Sequence, residues 1–190
     1  MPEATFVYTV DYGSNGDGSY LSPMSVKTLE DVIALVNSQP KGEYILGYCG
    51  ADLPDEGMIG ADGLRWKNEI ADKQLRQGVR RFPILAPTSI GEAKNTKAVL
   101  DAADIKPTRI ILYCEWWHSW RVGLIWRHVF TGCKIEVRTM RWIGGEDYIV
   151  PEIRKERTWA LYNLVGLFIT ILWVLGIEGV ANIRRPKQAR

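Results

Sequence analysis

Between Trp159 and Ile177 the chain runs for 19 residues without a charged side chain, WALYNLVGLFITILWVLGI. Such a segment has few places to go, because about 20 apolar residues cross the roughly 30 Å hydrocarbon layer of a bilayer as a helix. Arg154, Lys155 and Arg157 precede it, and Arg184, Arg185, Lys187 and Arg190 follow it. Trp159, Tyr162 and Trp173 stand near its ends, as interfacial anchors do. The expectation is a C-terminal transmembrane helix over 159–180, entered through a basic connector at 151–158 and followed by a basic tail at 181–190. The alternative is the core helix of a soluble domain, for which only Asn163 and Thr170 would supply a polar stripe. Both flanks are basic, so charge alone does not orient the span. The start, Met1-Pro2-Glu3-Ala4-Thr5, does not read as a secretory leader. The part ahead of the helix is therefore expected on the cytoplasmic side of a single-pass anchor.

Residues 1–150 read as one α/β domain. Apolar strand-like runs at 5–10, 43–49, 81–86 and 108–114 alternate with helical stretches, and 134–139 closes the series with polar and apolar residues in turn. Ser22-Pro23 reads as an N-cap followed by proline at the first helical position. A polar helix is expected over 64–77, stopped by Gly78. Pro83 places its strand at an edge or a strand start, whereas the nearly continuous apolar run at 108–114 suits a strand buried on both faces. Ser89-Ile90-Gly91-Glu92 has the capping-box spacing, and 117–130 continues as a helix. Strands alternating with helices predict a Rossmann-like, mainly parallel sheet with helices on both faces. The stretch 144–150 is a connector to the last helix.

The whole chain has 24 Lys+Arg against 22 Asp+Glu, a net charge of +2. Once the cationic flanks of the apolar helix are set aside, acids slightly outnumber bases. No broad basic field remains, and no nucleic-acid partner is expected. Cys49, Cys114 and Cys133 are too few and too far apart for a disulfide framework, and no Cys-x-x-Cys pair suggests zinc. No metal is expected and no cofactor is identified.

In open parallel sheets ligands bind beyond the carboxyl ends of the strands. The residues that follow each strand therefore define the site to expect. Gly47, Gly50 and Asp52 follow the second strand; Thr88, Ser89 and Glu92 the third; Glu115, His118 and Arg121 the fourth. That set of small, hydroxyl, acidic and cationic groups suits a polar or anionic small molecule. His118 and Arg121 are the candidate catalytic residues, His118 handling a proton and Arg121 a developing negative charge. Gly47, Gly50, Ser89 and Glu92 are the candidate ligand-binding residues. His128, further along the same helix, reads as structural, and Cys114 as a core thiol before a nucleophile. Trp116, Trp117, Trp120 and Trp126 read either as stacking surfaces for a base or sugar or as a belt at the headgroup layer. The glycine-rich turn at 13–18 fits neither a dinucleotide loop nor a calcium loop.

These motifs, in order, resemble the bacterial SanA/ElyC/YdcF-like envelope family, a group of Rossmann-like proteins of undefined function. The likeness rests on Ile45-Leu46-Gly47 with Gly50, Leu-Arg-Gln-Gly-Val at 75–79, and Thr88-Ser89-Ile90-Gly91-Glu92-Ala93 before a helix. It continues in His118-x-x-Arg121 and in Arg-Lys-Glu-Arg-Thr-Trp-Ala-Leu-Tyr at 154–162. The chain departs from the family in being short, in merging or lacking its second glycine-containing strand and separate acidic helix start, and in carrying its membrane segment last. The resemblance implies a ligand site at Gly47, Ser89, Glu92, His118 and Arg121 and a role in the cell envelope, with a nucleotide or an envelope precursor as ligand. The rival expectation is a non-enzymatic membrane-anchored scaffold that recruits a protein partner.

Overall fold

A computed structural model of the protein describes residues 4–40, 44–52, 59–145, 148–149 and 151–177. Five strands, β1 Thr5–Thr9, β2 Tyr44–Ala51, β3 Arg80–Ala86, β4 Arg109–Glu115 and β5 Lys134–Met140, alternate with four helices, α1 Pro23–Ser38, α2 Gly60–Gln74, α3 Ser89–Ala102 and α4 Trp116–Val129. A short turn of helix, α5 Pro151–Arg154, leads into the long α6, Glu156–Val174. Every strand pairing is parallel and the sheet order is β3-β2-β1-β4-β5. The chain is thus an α/β protein with a Rossmann-like parallel sheet.

Strand periodicity divides the core into two layers. Phe6 and Tyr8 of β1, with Ile110 and Leu112 of β4, pack under α3 and α4 around Trp126. Val7, Leu46 and Ile111 point the other way, beneath Leu29, Val32 and Ile33 of α1 and Trp66 and Ile70 of α2. Right-handed crossovers require this split: α1 and α2 carry the chain outward from β1, and α3 returns it across the opposite face to reach β4. β3, with Pro83, is an edge strand, as expected. β5 is the other edge, where Glu136 bridges Arg109 and Arg138. Charges on an exposed edge discourage pairing with another chain.

Ser22 caps α1, accepting from the Ser25 amide, and Pro23 opens the helix as the sequence predicts. α2 departs from expectation at both ends. It begins at Gly60 because that residue lies against the end of β2, where a Cβ on Gly50 would stand 2.3 Å from the Gly60 carbonyl. It stops at Gln74, and Leu75 is already extended. Gly78, at φ +85°, shapes the turn that follows, not the helix end.

α6 is long and apolar enough to cross a membrane, with mean hydropathy 1.4 and 17% of its most apolar window buried. It lies beside α4 and runs in the same direction, since Trp159 meets His118 at 5.5 Å and Trp173 meets His128 at 4.7 Å. Residues 178–180 of the expected span and the basic tail at 181–190 lie outside the described residues, as do 146, 147 and 150 of the connector. Tyr148 within that connector is fully buried and its hydroxyl donates to the Ile143 carbonyl.

Candidate functional site

Strand order reverses between β1 and β4, whose carboxyl ends deliver Asp11 and Tyr12 on one side and Glu115 on the other. Chains leaving these two strands turn to opposite faces of the sheet, which opens a crevice at such a switch point. The Glu115 amide donates to the Tyr12 hydroxyl across it.

Asp11 and Lys67 form an ion pair whose side chains are 3% and 0% exposed. Lys67 also donates to the Cys49 carbonyl, while Asp11 accepts from the Ala51 amide at 2.6 Å and from Ser25 Oγ at 3.0 Å. One carboxylate thereby ties β1 to α1, β2 and α2. Asp11 stands directly after the first strand, where the strand-end rule looks, whereas Lys67 does not follow from that rule. The legible signal is that Lys67 falls on the buried stripe of α2, with Gly63, Trp66, Ile70 and Ala71. A lysine at a core position requires a partner.

Glu92 points inward from α3, 5% exposed, and accepts from the Tyr8 hydroxyl at 3.4 Å. Burial, reinforced by nearby Asp11 and opposed by Lys67 and Arg121, pushes its carboxyl up to about 8. It is therefore mostly protonated at neutral pH. The capping-box expectation is corrected here. Thr88, not Ser89, is the N-cap, accepting from the Gly91 amide, and Ser89 is the first helical residue. With Thr88 doing the capping, the Ser89 hydroxyl is free for other contacts.

The Ser89 hydroxyl sits 3.1 Å from His118 Nε2, and an Arg121 guanidinium nitrogen reaches both, Ser89 Oγ at 3.1 Å and His118 Nε2 at 2.9 Å. A guanidinium only donates. Nε2 must therefore accept, the imidazole is neutral, and its proton is on Nδ1. That Nδ1 is buried without a hydrogen-bond partner. Burial, with the adjacent Arg121 charge, holds the imidazole well below its ordinary pKa. Tyr12 and Trp159 wall the ring at 5.8 and 5.5 Å. Glu115 caps α4 through the Trp117 and His118 amides and accepts a 2.7 Å bond from Trp159 Nε1, so α6 roofs the cluster. Arg121 lies beneath Tyr162 of α6 and has no carboxylate within ion-pair distance among the described residues.

The structure thus brings Ser89, Glu92, His118 and Arg121 to one region and adds Asp11, Lys67 and Glu115. Gly47 stands apart. It lies inside β2, where a Cβ would be 2.3 Å from the Phe6 ring, so packing accounts for the glycine. Gly50 serves the contact with α2. Trp126 is fully buried, stacked on Phe130 and beside Tyr8, and forms no belt; Trp116 and Trp120 are 45% and 62% exposed. Cys114 is buried and its thiol is pushed well up by burial, as suits a core residue. A surface hollow of about 940 Å³ lined by Asn15, Asp17, Lys27, Glu30 and Arg154, among others, includes none of the predicted site residues.

No family model matches the sequence, and no curated protein matches it. Among solved structures the chain is similar to an isochorismatase-like hydrolase from Alkaliphilus metalliredigens, 12% identical, with 93% of this chain and 99% of that one covered and a TM-score of 0.47. A likeness this distant assigns no residue a role.

Proposed function

We propose that the protein is a membrane-associated α/β protein that binds a polar, anionic small molecule at the carboxyl ends of β1 and β4, beneath α6. The observation that carries this reading is the Ser89–His118–Arg121 cluster, in which, among the described residues, the guanidinium has no carboxylate within ion-pair distance and a buried imidazole N–H has no acceptor. Leaving the buried His118 N–H without an acceptor costs on the order of 1–3 kcal/mol, which an anionic ligand would recover. The local charge points the same way. Asp11 and Lys67 neutralise each other, Glu92 is mostly uncharged, and the Glu115 carboxylate is taken up by the Trp117 and His118 amides and the Trp159 indole, which leaves Arg121 without an ion-pair partner among the described residues. Ser89 and Arg121 are partly exposed and give the cluster its opening to solvent.

This geometry makes His118 a donor. Its only basic lone pair is taken by Arg121 and Ser89, so proton exchange falls to Glu92, whose pKa suits transfer near neutrality. A phosphate or carboxylate of the ligand would take the His118 and Arg121 donors. The resemblance to the SanA/ElyC/YdcF-like family supports the same reading, adding a nucleotide or phosphorylated envelope precursor as ligand class and an envelope setting. The domain is held on the cytoplasmic side by α6.

The test begins with mass spectrometry of small molecules released from the purified full-length protein, followed by calorimetric titration of the anion found. Arg121→Ala is expected to weaken binding by one to two orders of magnitude, about 1.5–3 kcal/mol for a charge-assisted bond. Unchanged affinity in Arg121→Ala and His118→Ala, with a protein partner recovered instead, would favour the scaffold.

A further inference from the structure

From Leu161 onward the outward side of α6 has no polar group with which to meet water. Leu161, Leu164, Val165, Phe168, Ile171 and Leu175 are between 41% and 71% exposed. At helical spacing they fall within an arc of about 120°. The opposite arc holds Trp159, Asn163, Gly166 and Thr170, all turned toward the domain. Thr170 and Asn163 donate to α6 carbonyls, at 2.8 Å to Gly166 and 3.0 Å to Trp159. This is inverted amphipathicity, polar side in and apolar side out.

Exposed Trp116 and Trp120 extend the apolar surface past α6. With Ala160, Leu164 and Leu167 they line a narrow apolar crevice of about 100 Å³ between α4 and α6. Exposed Lys155 and Arg157 stand at the start of α6, and the sequence beyond it adds Arg184, Arg185, Lys187 and Arg190. Indoles at the edge of an apolar band with cations at both ends match a headgroup layer, where indoles partition and phosphates meet lysine and arginine. A continuous apolar band of this kind on a soluble surface marks an interaction site.

We infer that α6 lies along the surface of an anionic bilayer, its apolar face in the acyl boundary and its inner face kept on α4, so that the membrane holds the roof over the His118–Arg121 cluster. This rests on the membrane association proposed above and specifies its form. A spanning α6 would surrender the Trp159–Glu115 bond and the contacts of Tyr162 and Gly166 with Arg121. A surface-bound α6 keeps them and buries the outward row as well.

The experiment uses the full chain with preformed vesicles of phosphatidylglycerol or phosphatidylcholine. Binding to the anionic vesicles, weakening with salt and reversed by alkaline carbonate, is the expected result. Leu164→Glu combined with Phe168→Glu lowers partition by about tenfold or more, with unchanged near-ultraviolet circular dichroism, while Phe168→Leu binds as the parent does. In the vesicle-bound protein, Gln188→Cys should react with a membrane-impermeant maleimide above the native cysteine background. Resistance to carbonate with protection of that cysteine would mean that α6 spans; it overturns this inference and leaves membrane association intact. Absence of vesicle binding overturns both, and a dimer dissociated by Phe168→Glu would identify a second copy of the chain as what covers the face.

Discussion

Glu92 keeps its proton in the folded protein at pH values where an exposed glutamate has lost it. With a folded value of about 8 against an ordinary 4.5, the unfolded chain releases a proton through that window and the fold does not, so stability falls as pH rises. His118 acts with the opposite sign. It stays neutral when buried, whereas the unfolded imidazole binds a proton below about 6.5, so stability is lost as pH falls below that value. The two slopes oppose each other in acid, and Glu92 acts unopposed by His118 between about pH 6.5 and 8. Urea unfolding across that interval is expected to show a loss of about 2 kcal/mol in the parent and almost none in Glu92→Gln, which keeps the shape and the Tyr8 contact without the titration. At this scale the strand-end rule found Ser89, Glu92, His118 and Arg121. Asp11, directly after the first strand, fits the same rule, but its ion pair is not legible there, and Lys67 escapes it because a lysine within a polar helix looks solvated until the sheet covers it.

The meeting of α4 with α6 turns on Gly166. A Cβ there would lie 2.2 Å from the Arg121 guanidinium and 2.9 Å from its Cδ. Two effects compete in a substitution. Replacing glycine inside a helix gains up to about 1 kcal/mol of propensity, and overpacking a close contact costs about 1–3 kcal/mol. Gly166→Val gains least, being β-branched, and clashes most. We expect a net loss of about 1–2 kcal/mol in denaturant unfolding, with faster amide exchange in α6 and Arg121 pushed off Ser89. The start of α3 teaches a similar lesson. Thr88 and Ser89 are both good caps, and the backbone picks Thr88, leaving Ser89 for His118. Composition cannot rank two adjacent hydroxyls, because the decision lies in which residue is extended and which is already helical.

For the whole molecule, sheet order sets the stability gradient. β1 is paired on both sides, to β2 and β4, while β3 and β5 are edges. Amide exchange in the full chain is expected to be slowest in β1 and β4 and faster in β5, whose residues are nearly all partly exposed. Equal protection in β5 and β1 would contradict that gradient. The sequence alone determined the class of fold and the order of its elements, because strand and helix periods and the handedness of crossovers are local rules. It also determined that the last helix is apolar enough for a membrane. Only the tertiary structure decided that this helix returns along α4 to roof the cluster, with its few polar residues inward. It alone paired Asp11 with Lys67, 56 residues apart, and set Arg121 against Nε2 of a buried, neutral His118. Those outcomes depend on which distant groups share a space closed to water, where unpaired charge is costly, and no local pattern in a sequence records that.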